Sequence, residues 1–338
     1  MRVLAALSGG VDSSVAAAML VDEGHDVVAV TMKLWGGAQD SGCCSVGDVE
    51  DARRVAQQLG IAHHVFNFTD EFEGHVVAPY VAAHAAGRTP NPCIDCNRYL
   101  KFDRLMARAE QLGFDVLATG HHARVCNGRL LRGTDRAKDQ SYVLYRLTST
   151  QLRRVMFPVG TLTKVEVRRR AAALGLRTAA KPESQETCFI TASGGREQFL
   201  GTRIPLHAGR VVAVDGSPLG TVPAIELITV GQRRGIGGGA QSRRYALAVD
   251  VPGETVTVGT LDQLSCTGVR VEDVTWVAGA PPSSEVVLSV QLSAHGRPLP
   301  ARWCNGTVVF ERPQRRPAPG QAVVFYDGDA VVGGGTAG

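Results

Sequence analysis

The sequence predicts an α/β protein built from three parts. From Met1 to about Ile204, strand and helix signals alternate, which is typical of a parallel sheet covered by helices on both faces. After about residue 205 the helical periodicity is lost, and short β-rich runs separated by turn residues replace it. We therefore expect a parallel-sheet domain over 1–204, a small β-rich central domain over 205–275 and a C-terminal β-barrel over 276–338.

The elements of the first part have clear boundary signals. Glycines follow the helical patterns as stop signals, and Thr163 with Glu166 forms a capping box. The predicted strands are Val3–Leu7, Val27–Leu34, His64–Phe68 and Val116–Thr119. The predicted helices run from Val15 to the stop at Gly24 and over Ser45–Leu59, Asp70–Ala86, Arg98–Leu112 and Thr163–Leu174.

The second part of the chain reads as short strands. Asn127-Gly128, Asn305-Gly306 and Asp327-Gly328 have the composition of hairpin turns. The glycine-rich stretch Gly231–Gly239 is expected to approach a ligand or another backbone segment closely. The predicted strands are Arg210–Val214, Thr221–Val230, Tyr245–Val251, Thr255–Gly259, Val286–Leu292, Thr307–Phe310, Ala322–Tyr326 and Ala330–Val332.

Composition narrows the class of protein. The chain has 338 residues, 44% of them hydrophobic, which is enough for a full-sized core. Its apolar runs are too short to span a membrane, and the first residues do not resemble a secretion leader, so we expect a cytoplasmic protein with no membrane partner. Eight cysteines are too few for a disulfide scaffold, and a cysteine cluster here is expected to be catalytic or metal-binding.

The charges are unevenly distributed. Residues 1–97 hold 5 Lys and Arg against 12 Asp and Glu, a net charge of −7. Residues 98–203 hold 20 against 9, a net charge of +11, and residues 204–338 hold 11 of each. The basic excess in the middle favours a polyanion partner such as RNA. The run Arg168–Arg170 is interpreted as a solvated helix face, with contact to the tRNA backbone as the alternative.

The seven residues Ser8–Ser14 (SGGVDSS) form the strongest single motif. They join a strand pattern to a helix pattern, where backbone N–H groups and the helix N-terminus bind a phosphate group. Neither the Walker nor the Rossmann fingerprint fits. The loop resembles that of the ATP pyrophosphatase (PP-loop) superfamily, which cleaves ATP to AMP and pyrophosphate. The alternative is a serine-rich helix cap without a ligand.

A Cys-x-x-Cys pair follows two prolines in the segment Pro90–Asn97. The helix predicted from Arg98 would begin just after Cys96 and stabilise its thiolate, raising its reactivity. A structural zinc site is an alternative, although no second Cys-x-x-Cys supplies the other two ligands. Two buried structural cysteines are the third interpretation. His121-His122, at the end of a strand, are expected at the ligand edge of the sheet, although a purely structural role is at least as well supported.

Motifs along nearly the whole chain resemble the tRNA-specific 2-thiouridylase family, which thiolates C2 of the wobble uridine. The three-part architecture agrees with that family. The motifs occur in one order: Ser8–Ser14, Asn91-Pro92 with Cys96, Ala118–His121, Lys138–Tyr142, Ser184–Cys188, Gly231–Gly235 and Gly333–Gly335.

This resemblance implies an ATP-dependent tRNA-uridine 2-sulfurtransferase with Mg²⁺ accompanying ATP. Cys188 would carry sulfur as a persulfide received from a cysteine desulfurase or a sulfur-relay protein. Cys96 would attack it and leave a transient Cys96–Cys188 disulfide, which an external reductant resets. The tRNAs implied are those for Lys, Glu and Gln. The residues matching the family's ATP contacts are Ala6, Leu7, Ser8, Gly9, Gly10, Val11, Asp12, Ser13, Met32 and Gly120. Those matching its target-base and tRNA contacts are Asn91, Pro92, Cys93, Lys138, Asp139 and Gln140.

Cys93 departs from the pattern, because many members of the family have aspartate there as the general acid or base. A thiol with a reference pKa of about 8.5 suits that role less well, and Asp95 is a nearby carboxylate. Cys93, Cys96 and Cys188 could alternatively hold an iron–sulfur cluster with one iron open to sulfide.

Two rival functions are another PP-loop ligase, such as an amidating or lysidine synthetase, and a nucleotide-dependent RNA-binding module without catalysis.

Overall fold

The computed structural model describes residues 1–35, 46–182, 187–190, 194–236, 243–283 and 286–338. The chain divides into two compact units. Unit 1 comprises Met1–Val76, Pro92–Thr191 and Gly328–Val332, and unit 2 comprises Val77–Asn91, Ala192–Asp327 and Gly333–Gly338.

A parallel sheet forms the centre of unit 1, as predicted, and it has a fifth strand, Val155–Met156, in addition to the four that were predicted. Its strands lie in the order β3-β2-β1-β4-β7, with β1 in register with both β2 and β4. Because the order reverses beside β1, a crevice is expected at the carboxyl ends of β1 and β4, where such sheets bind ligands. The strands are β1 Arg2–Ala6, β2 Asp26–Lys33, β3 His63–Asn67, β4 Val116–Thr119 and β7 Val155–Met156.

Helices of unit 1 pack their apolar sides on this sheet. Val3 and Ala5 of β1 are buried with residues from α1, α2 and α8, which makes one continuous core. The helix α8 has the predicted capping box, since Thr163 and Glu166 bond each other's backbone. The helices are α1 Val11–Asp22, α2 Val46–Gln58, α3 Thr69–Phe72, α7 Ser149–Leu152 and α8 Lys164–Ala173. Short 3₁₀ turns lie at Ser141–Leu144, Pro158–Thr161 and Arg177–Ala180.

Two helical segments contain π-helical stretches. After α3 the chain continues through π-helical Glu73–Val77 into α4, Ala78–Ala85, within the helix predicted for Asp70–Ala86. The second segment starts with α5, Pro92–Asp95, and continues through π-helical Cys96–Leu105 into α6, Met106–Gln111. The prediction of a helix start at Arg98 was therefore wrong. Proline lacks an N–H and is tolerated at the first helical position, so Pro92 opens the helix instead of delaying it.

A hairpin follows β4, as its Asn-Gly turn predicts. Its strands are β5 Ala123–Cys126 and β6 Arg129–Arg132. Asn127 and Gly128 both have positive φ, at 51° and 72°, as a two-residue hairpin turn of this type requires. In the same unit, Ala330 pairs with Leu131 of β6.

Unit 2 contains a four-stranded sheet in the order β10-β11-β8-β9, with the short helices α9 Gly195–Gly201 and α10 Leu261–Leu264. The prediction of a strand through Val230 was wrong beyond Val222. Pro223 follows, and the chain turns into a 3₁₀ segment at Ile225–Leu227. The strands are β8 Gly209–Ala213, β9 Pro218–Val222, β10 Tyr245–Asp250 and β11 Thr255–Gly259.

The C-terminal strands form the predicted β-barrel. They pair in the order β12-β15-β14-β13-β16-β17, and antiparallel pairing of β12 with β17 closes the ring. Two of these strands were not predicted, because β12 contains Gly268 and adjacent acidic residues, and β14 contains Pro300. The predicted boundary at 275/276 falls inside β12. The strands are β12 Ser265–Trp276, β13 Val287–Gln291, β14 Leu299–Cys304, β15 Thr307–Arg315, β16 Ala322–Asp327 and β17 Ala330–Ala337.

Within the described ranges, every helix is too short or too polar to cross a membrane.

Candidate functional site

The Ser8–Ser14 loop joins β1 to α1 at the carboxyl edge of the sheet. Ser13 Oγ donates to the Gly10 carbonyl oxygen at 3.1 Å and accepts from the Ser8 N–H at 3.1 Å. Ser14 Oγ also donates to Gly10 O, at 2.8 Å. The serines therefore hold the turn in shape. The first N–H groups of α1 lack intrahelical acceptors and no side chain caps the helix, so the loop presents donors to an anion.

Two glycines allow other segments to approach this loop. Gly9 has a φ of +71°, and a Cβ there would lie 2.3 Å from the carbonyl oxygen of Asp48. A Cβ on Gly120, just after β4, would lie 2.5 Å from the backbone nitrogen of Ser13. Both contacts are with backbone atoms, which cannot move aside cheaply. The loop can therefore lie this close to α2 only if residue 9 is glycine, and to the end of β4 only if residue 120 is glycine.

Asp12 is the charged centre of the loop. Lys164 Nζ, at the start of α8, lies 2.8 and 2.7 Å from its two carboxylate oxygens. His122 Nε2 lies 3.1 Å from Asp12 Oδ1. Burial acts to raise the pKa of Asp12, but hydrogen bonds from His122 and Lys164 outweigh it and lower that pKa overall. Asp12 is thus held ionised by two partners from distant parts of the chain.

A second ammonium group lies on the other side of the loop. Lys181 Nζ donates to the Gly9 carbonyl oxygen at 3.0 Å and to Asp48 and Asp51 at 2.6 and 2.7 Å. Burial acts to lower the pKa of Lys181, but the two carboxylates raise it overall. Neither Lys164 nor Lys181 was a predicted site residue. Lys164 had no signal beyond the basic stretch, whereas Lys181 also begins the polar segment that leads to Cys188.

The remaining predicted ATP contacts lie around the same edge. Ala6 and Leu7 end the central strand, and Thr31 Oγ1 donates to the Leu7 carbonyl oxygen at 2.9 Å. Met32 is buried on β2, two residues beyond Val30, which is the register partner of Ala6. The structure therefore brings together all the residues predicted to contact ATP.

The two histidines after β4 have different surroundings. His121 Nδ1 lies 2.6 Å from Thr119 Oγ1, and its Nε2 lies 3.4 Å from Lys101 Nζ. Burial, with Lys101 nearby, puts the pKa of His121 well below its usual range, so the ring is neutral. His122 contacts Asp12 of the loop. One histidine is therefore structural and the other belongs to the site.

The predicted tRNA segment is tied to the same edge. His122 N–H donates to Gln140 Oε1 at 2.9 Å, and Gln140 N–H donates to the His122 carbonyl oxygen at 2.9 Å. The Asp139 carboxylate accepts from Arg132 at 3.0 Å, from Gly133 N–H at 2.9 Å and from the N–H and hydroxyl of Ser141. Asp139 thus fixes the turn, and Lys138, half-buried, precedes it.

Cys93 and Cys96 lie in the first turns of the helix that Pro92 opens, and not ahead of a helix as predicted. Cys93 is exposed and Cys96 is buried. Asn91, half-buried, precedes Pro92. Burial raises the pKa of Asp95, against the effect of Arg146 and Arg98, so this carboxyl holds its proton to higher pH than an exposed aspartate.

Cys188 is half-buried and lies beside an aromatic cluster. The neighbouring Phe189 ring packs against Phe72 of α3, with ring centroids 5.7 Å apart, and against Trp35 at 6.4 Å. Most of the predicted Ser184–Cys188 loop lies outside the described residues. Neither Cys96 nor Cys188 is in a disulfide. In the described ranges, Cys93, Cys96 and Cys188 do not form a group that could ligate a metal.

Many cations of the basic stretch are neutralised within unit 1. Lys164 pairs with Asp12, Arg177 and Lys181 pair with Asp51, and Arg104 lies 3.5 Å from Glu71. These acids come from the acidic segment 1–97. Arg168 donates to the carbonyl oxygens of Ala179 and Lys181, so the prediction that it is part of a solvated face was wrong.

Two family profiles match the chain. Residues 1–192 match the profile described as tRNA methyl transferase HUP domain, and residues 266–337 match the one described as aminomethyltransferase beta-barrel domain.

Two solved structures show a low-scoring similarity to this chain. They are a 4-thiouridine synthetase–RNA complex with bound ATP and the U34-tRNA thiolase NcsA from Methanococcus maripaludis with its [4Fe-4S] cluster. The first has a TM-score of 0.40 and 21% identity over 56% of this chain and 44% of that one. The second has 0.37 and 17%, over 60% and 64%.

Relatives aligned over the whole chain carry a different name. The tRNA-specific 2-thiouridylase MnmA of Roseiflexus sp. (strain RS-1) is 44% identical over 366 residues, covering 99% of this chain and 98% of the relative. The protein of that name from Mycobacteroides abscessus is 46% identical over 350 residues, covering 98% of each. The profile names refer to methyl transfer, but the thiouridylase relatives extend over both profiles and the segment between them. The chain therefore belongs to the tRNA-specific 2-thiouridylase family.

Proposed function

We propose that this chain is a tRNA-uridine 2-sulfurtransferase that uses ATP to replace the C2 oxygen of the wobble uridine with sulfur. The observation that carries the proposal is the Asp12 network on the Ser8–Ser14 loop, in a chain that aligns throughout with 2-thiouridylases. The tRNAs for Lys, Glu and Gln are the proposed substrates.

The ATP step follows from the chemistry of the base. The C2 carbonyl oxygen is a poor leaving group, so sulfur alone would not displace it. Attack of that oxygen on the α-phosphate of ATP releases pyrophosphate and leaves an adenylated oxygen that departs as AMP. The loop N–H groups supply positive potential for the phosphates, and the ion-paired ammonium groups of Lys164 and Lys181 lie at the loop as further hydrogen-bond donors. Mg²⁺ would enter with the nucleotide and neutralise the leaving pyrophosphate, and Asp12 offers it a hard oxygen ligand.

The sulfur step uses the two cysteines. The terminal sulfur of a Cys188 persulfide attacks C2 and AMP leaves, which joins Cys188 to the base through two sulfur atoms. The Cys96 thiolate then attacks the Cys188 sulfur, and the S–S bond breaks toward the base. This releases thiouridine and forms a Cys96–Cys188 disulfide, so the two thiols supply the two electrons. An external thiol then reduces the pair. The sulfur donor is a cysteine desulfurase or a sulfur-relay protein.

The deciding assay combines the reduced protein, ATP, a sulfur donor and undermodified tRNA, with nucleoside analysis by mass spectrometry. We expect 2-thiouridine that depends on ATP and on the donor. Active, reduced protein that makes none would refute the proposal. Full activity of Cys96→Ser would favour an amidating or lysidine-type ligase, and absence of tRNA-dependent pyrophosphate release would favour a non-catalytic RNA-binding module.

A further inference from the structure

Unit 2 carries a cluster of arginines to which the proposed chemistry assigns no role. Residues 227–249 contain Arg233, Arg234, Arg243 and Arg244 and no aspartate or glutamate. Arg233, Arg234 and Arg243 are exposed, and Arg244 is half-buried. This local charge of +4 was hidden in the sequence, because residues 204–338 as a whole are neutral.

Backbone pairing brings the two halves of this cluster together. The Gly231 N–H donates to the Ala246 carbonyl oxygen at 2.7 Å, and the Ala246 N–H donates to the Gln232 carbonyl oxygen at 2.9 Å. Arg233 therefore follows directly after one paired segment, and Arg244 lies two residues before the other. The two pairs of arginines consequently lie on adjacent segments of chain.

A fifth arginine comes from β15. Arg315 donates to the Gly231 carbonyl oxygen, and its guanidinium lies 5.7 Å from the centre of the Tyr245 ring. Gly231 has a φ of +86°, and a Cβ there would lie 2.7 Å from an Arg315 nitrogen. The glycine thus lets the exposed Arg315 join the cluster.

Hydrogen bonds within the loop 229–234 hold it in shape, and its two arginines, Arg233 and Arg234, are exposed. The Gln232 side chain accepts from the Thr229 N–H at 3.1 Å and donates to the Arg234 carbonyl oxygen at 2.8 Å. No ion pair joins any of the five arginines to a carboxylate in the part of the chain that the structure describes. The basic residues of unit 1 differ, because many of them are paired with acids.

We propose that Arg233, Arg234, Arg243, Arg244 and Arg315 form a binding surface for the phosphate backbone of the tRNA substrate. The inference rests on the proposed function for the identity of the RNA. Guanidinium groups bind phosphate oxygens bidentately, and a set of unpaired cations on a braced loop suits a polyanion. A protein partner would need apolar anchors, yet the residues at 229–236 and 243–247 expose no large apolar side chain.

The test measures the affinity for undermodified tRNA as a function of salt. Removing one cation that binds a phosphate should reduce the slope of log affinity against log salt by about 1. For the double variant Arg233→Ala/Arg234→Ala, we expect the slope to fall by about 2. From 50 to 200 mM salt, a fourfold change, the affinity of the variant should then fall about 16-fold less than that of the unaltered protein. The double lysine variant should restore most of the slope, because charge is retained.

Arg210→Ala is the matched control. Arg210 is exposed in the same sheet, where it lies opposite Thr255. The arginine cluster is near Tyr245, which pairs with Gly259 at the other end of the β10–β11 ladder. The Arg210→Ala variant should therefore show the same salt slope as the unaltered protein. An unaltered slope in the double alanine variant, or an equal reduction in Arg210→Ala, would overturn the assignment. The assignment would also be overturned if the double alanine variant bound tRNA normally but accepted sulfur slowly from a protein donor and at the normal rate from sulfide. That result would indicate a protein-docking surface. If the unaltered protein binds tRNA with the expected slope and makes no 2-thiouridine, the proposed function fails and this surface stands.

Discussion

Lys164 Nζ donates to both carboxylate oxygens of Asp12, at 2.8 and 2.7 Å, although 152 residues separate the two in sequence. The side chain of Lys164 is only 11% exposed. Substitution of Lys164 by methionine would leave the Asp12 carboxylate unneutralised where the ATP phosphates bind. We expect tRNA-dependent pyrophosphate release to fall about 100-fold, equivalent to about 2.7 kcal/mol, measured by a coupled phosphate assay. The exposed neighbour Arg169→Ala should retain its rate. A Lys164→Met enzyme at the normal rate would contradict this role.

Gly120 is expected to tolerate no side chain, because a Cβ would meet the backbone of Ser13 at 2.5 Å. Gly120→Ala should push the loop out of position, raising the KM for ATP at least 10-fold and destabilising the protein by about 1–3 kcal/mol. The control is Gly74→Ala, since a Cβ there meets nothing within 4 Å. Thermal unfolding and ATP titration report the two effects. Equal behaviour of the two variants would show that the close approach is unimportant.

Asp139 and its neighbour Lys138 were both predicted to contact tRNA, and in the structure Asp139 also forms a buried ion pair. The Asp139–Arg132 pair has side-chain exposures of only 6% and 10%. Asp139→Asn breaks this pair and should lower the free energy of unfolding by about 3 kcal/mol without any RNA present. Lys138→Ala leaves the Asp139–Arg132 pair intact, so it should lower that free energy by less than Asp139→Asn does. Denaturant unfolding of both variants tests this. Normal stability of Asp139→Asn would favour a direct RNA contact instead.

Cys188 should be needed for sulfur transfer but not for adenylation. Because Cys188 lies beside the Phe72–Phe189 cluster and the Asp12 network is formed by other residues, Cys188→Ser should keep tRNA-dependent pyrophosphate release within about threefold. It should produce no 2-thiouridine. Single-turnover assays that follow pyrophosphate and the nucleoside in parallel separate the two steps. Thiouridine formation by this variant would exclude the Cys188 persulfide.

His84 gives unit 2 a predicted sensitivity to acid. Burial, with Arg196 nearby, lowers the pKa of His84 to about 4, and its Nε2 has no partner among the described residues. The buried ring also contacts Tyr80, and its Nδ1 lies 3.2 Å from the Glu226 carbonyl oxygen. The unfolded chain binds this proton below about pH 6.5 and the folded chain only below about 4. Stability should therefore fall as the pH drops from 6.5 to 4, by roughly 3 kcal/mol in total.

His84→Gln should remove most of this slope, whereas His295→Gln, at an exposed site, should not. Fluorescence-detected urea unfolding in a Trp35→Phe background follows unit 2, because the remaining tryptophans, Trp276 and Trp303, lie in its barrel. The same pH dependence in both variants would rule out His84 as its source.

The local sequence was sufficient to predict most of the secondary structure of unit 1. The alternation of strands and helices, the Thr163 capping box and the Asn127-Gly128 hairpin depend on residues close together in the chain, and the structure has them. The predictions of secondary structure were wrong where a proline or glycine was taken as incompatible with a helix or strand. Pro92 opens a helix, and β12 and β14 hold their place by pairing with neighbours despite poor strand composition.

The Ser8–Ser14 loop and the order of motifs that marks the family could be identified from the sequence, because each motif consists of adjacent residues. Only the tertiary structure showed that Lys164 and Lys181 reach the loop, since they come from the far end of unit 1. The tertiary structure also changed where we expect unpaired positive charge. In the described residues, four cations of the +11 stretch pair with carboxylates of the acidic segment 1–97, whereas the neutral segment 204–338 exposes an arginine cluster that no described carboxylate pairs with. Net charge counts residues along the chain, but a binding partner meets the charges that folding leaves unpaired.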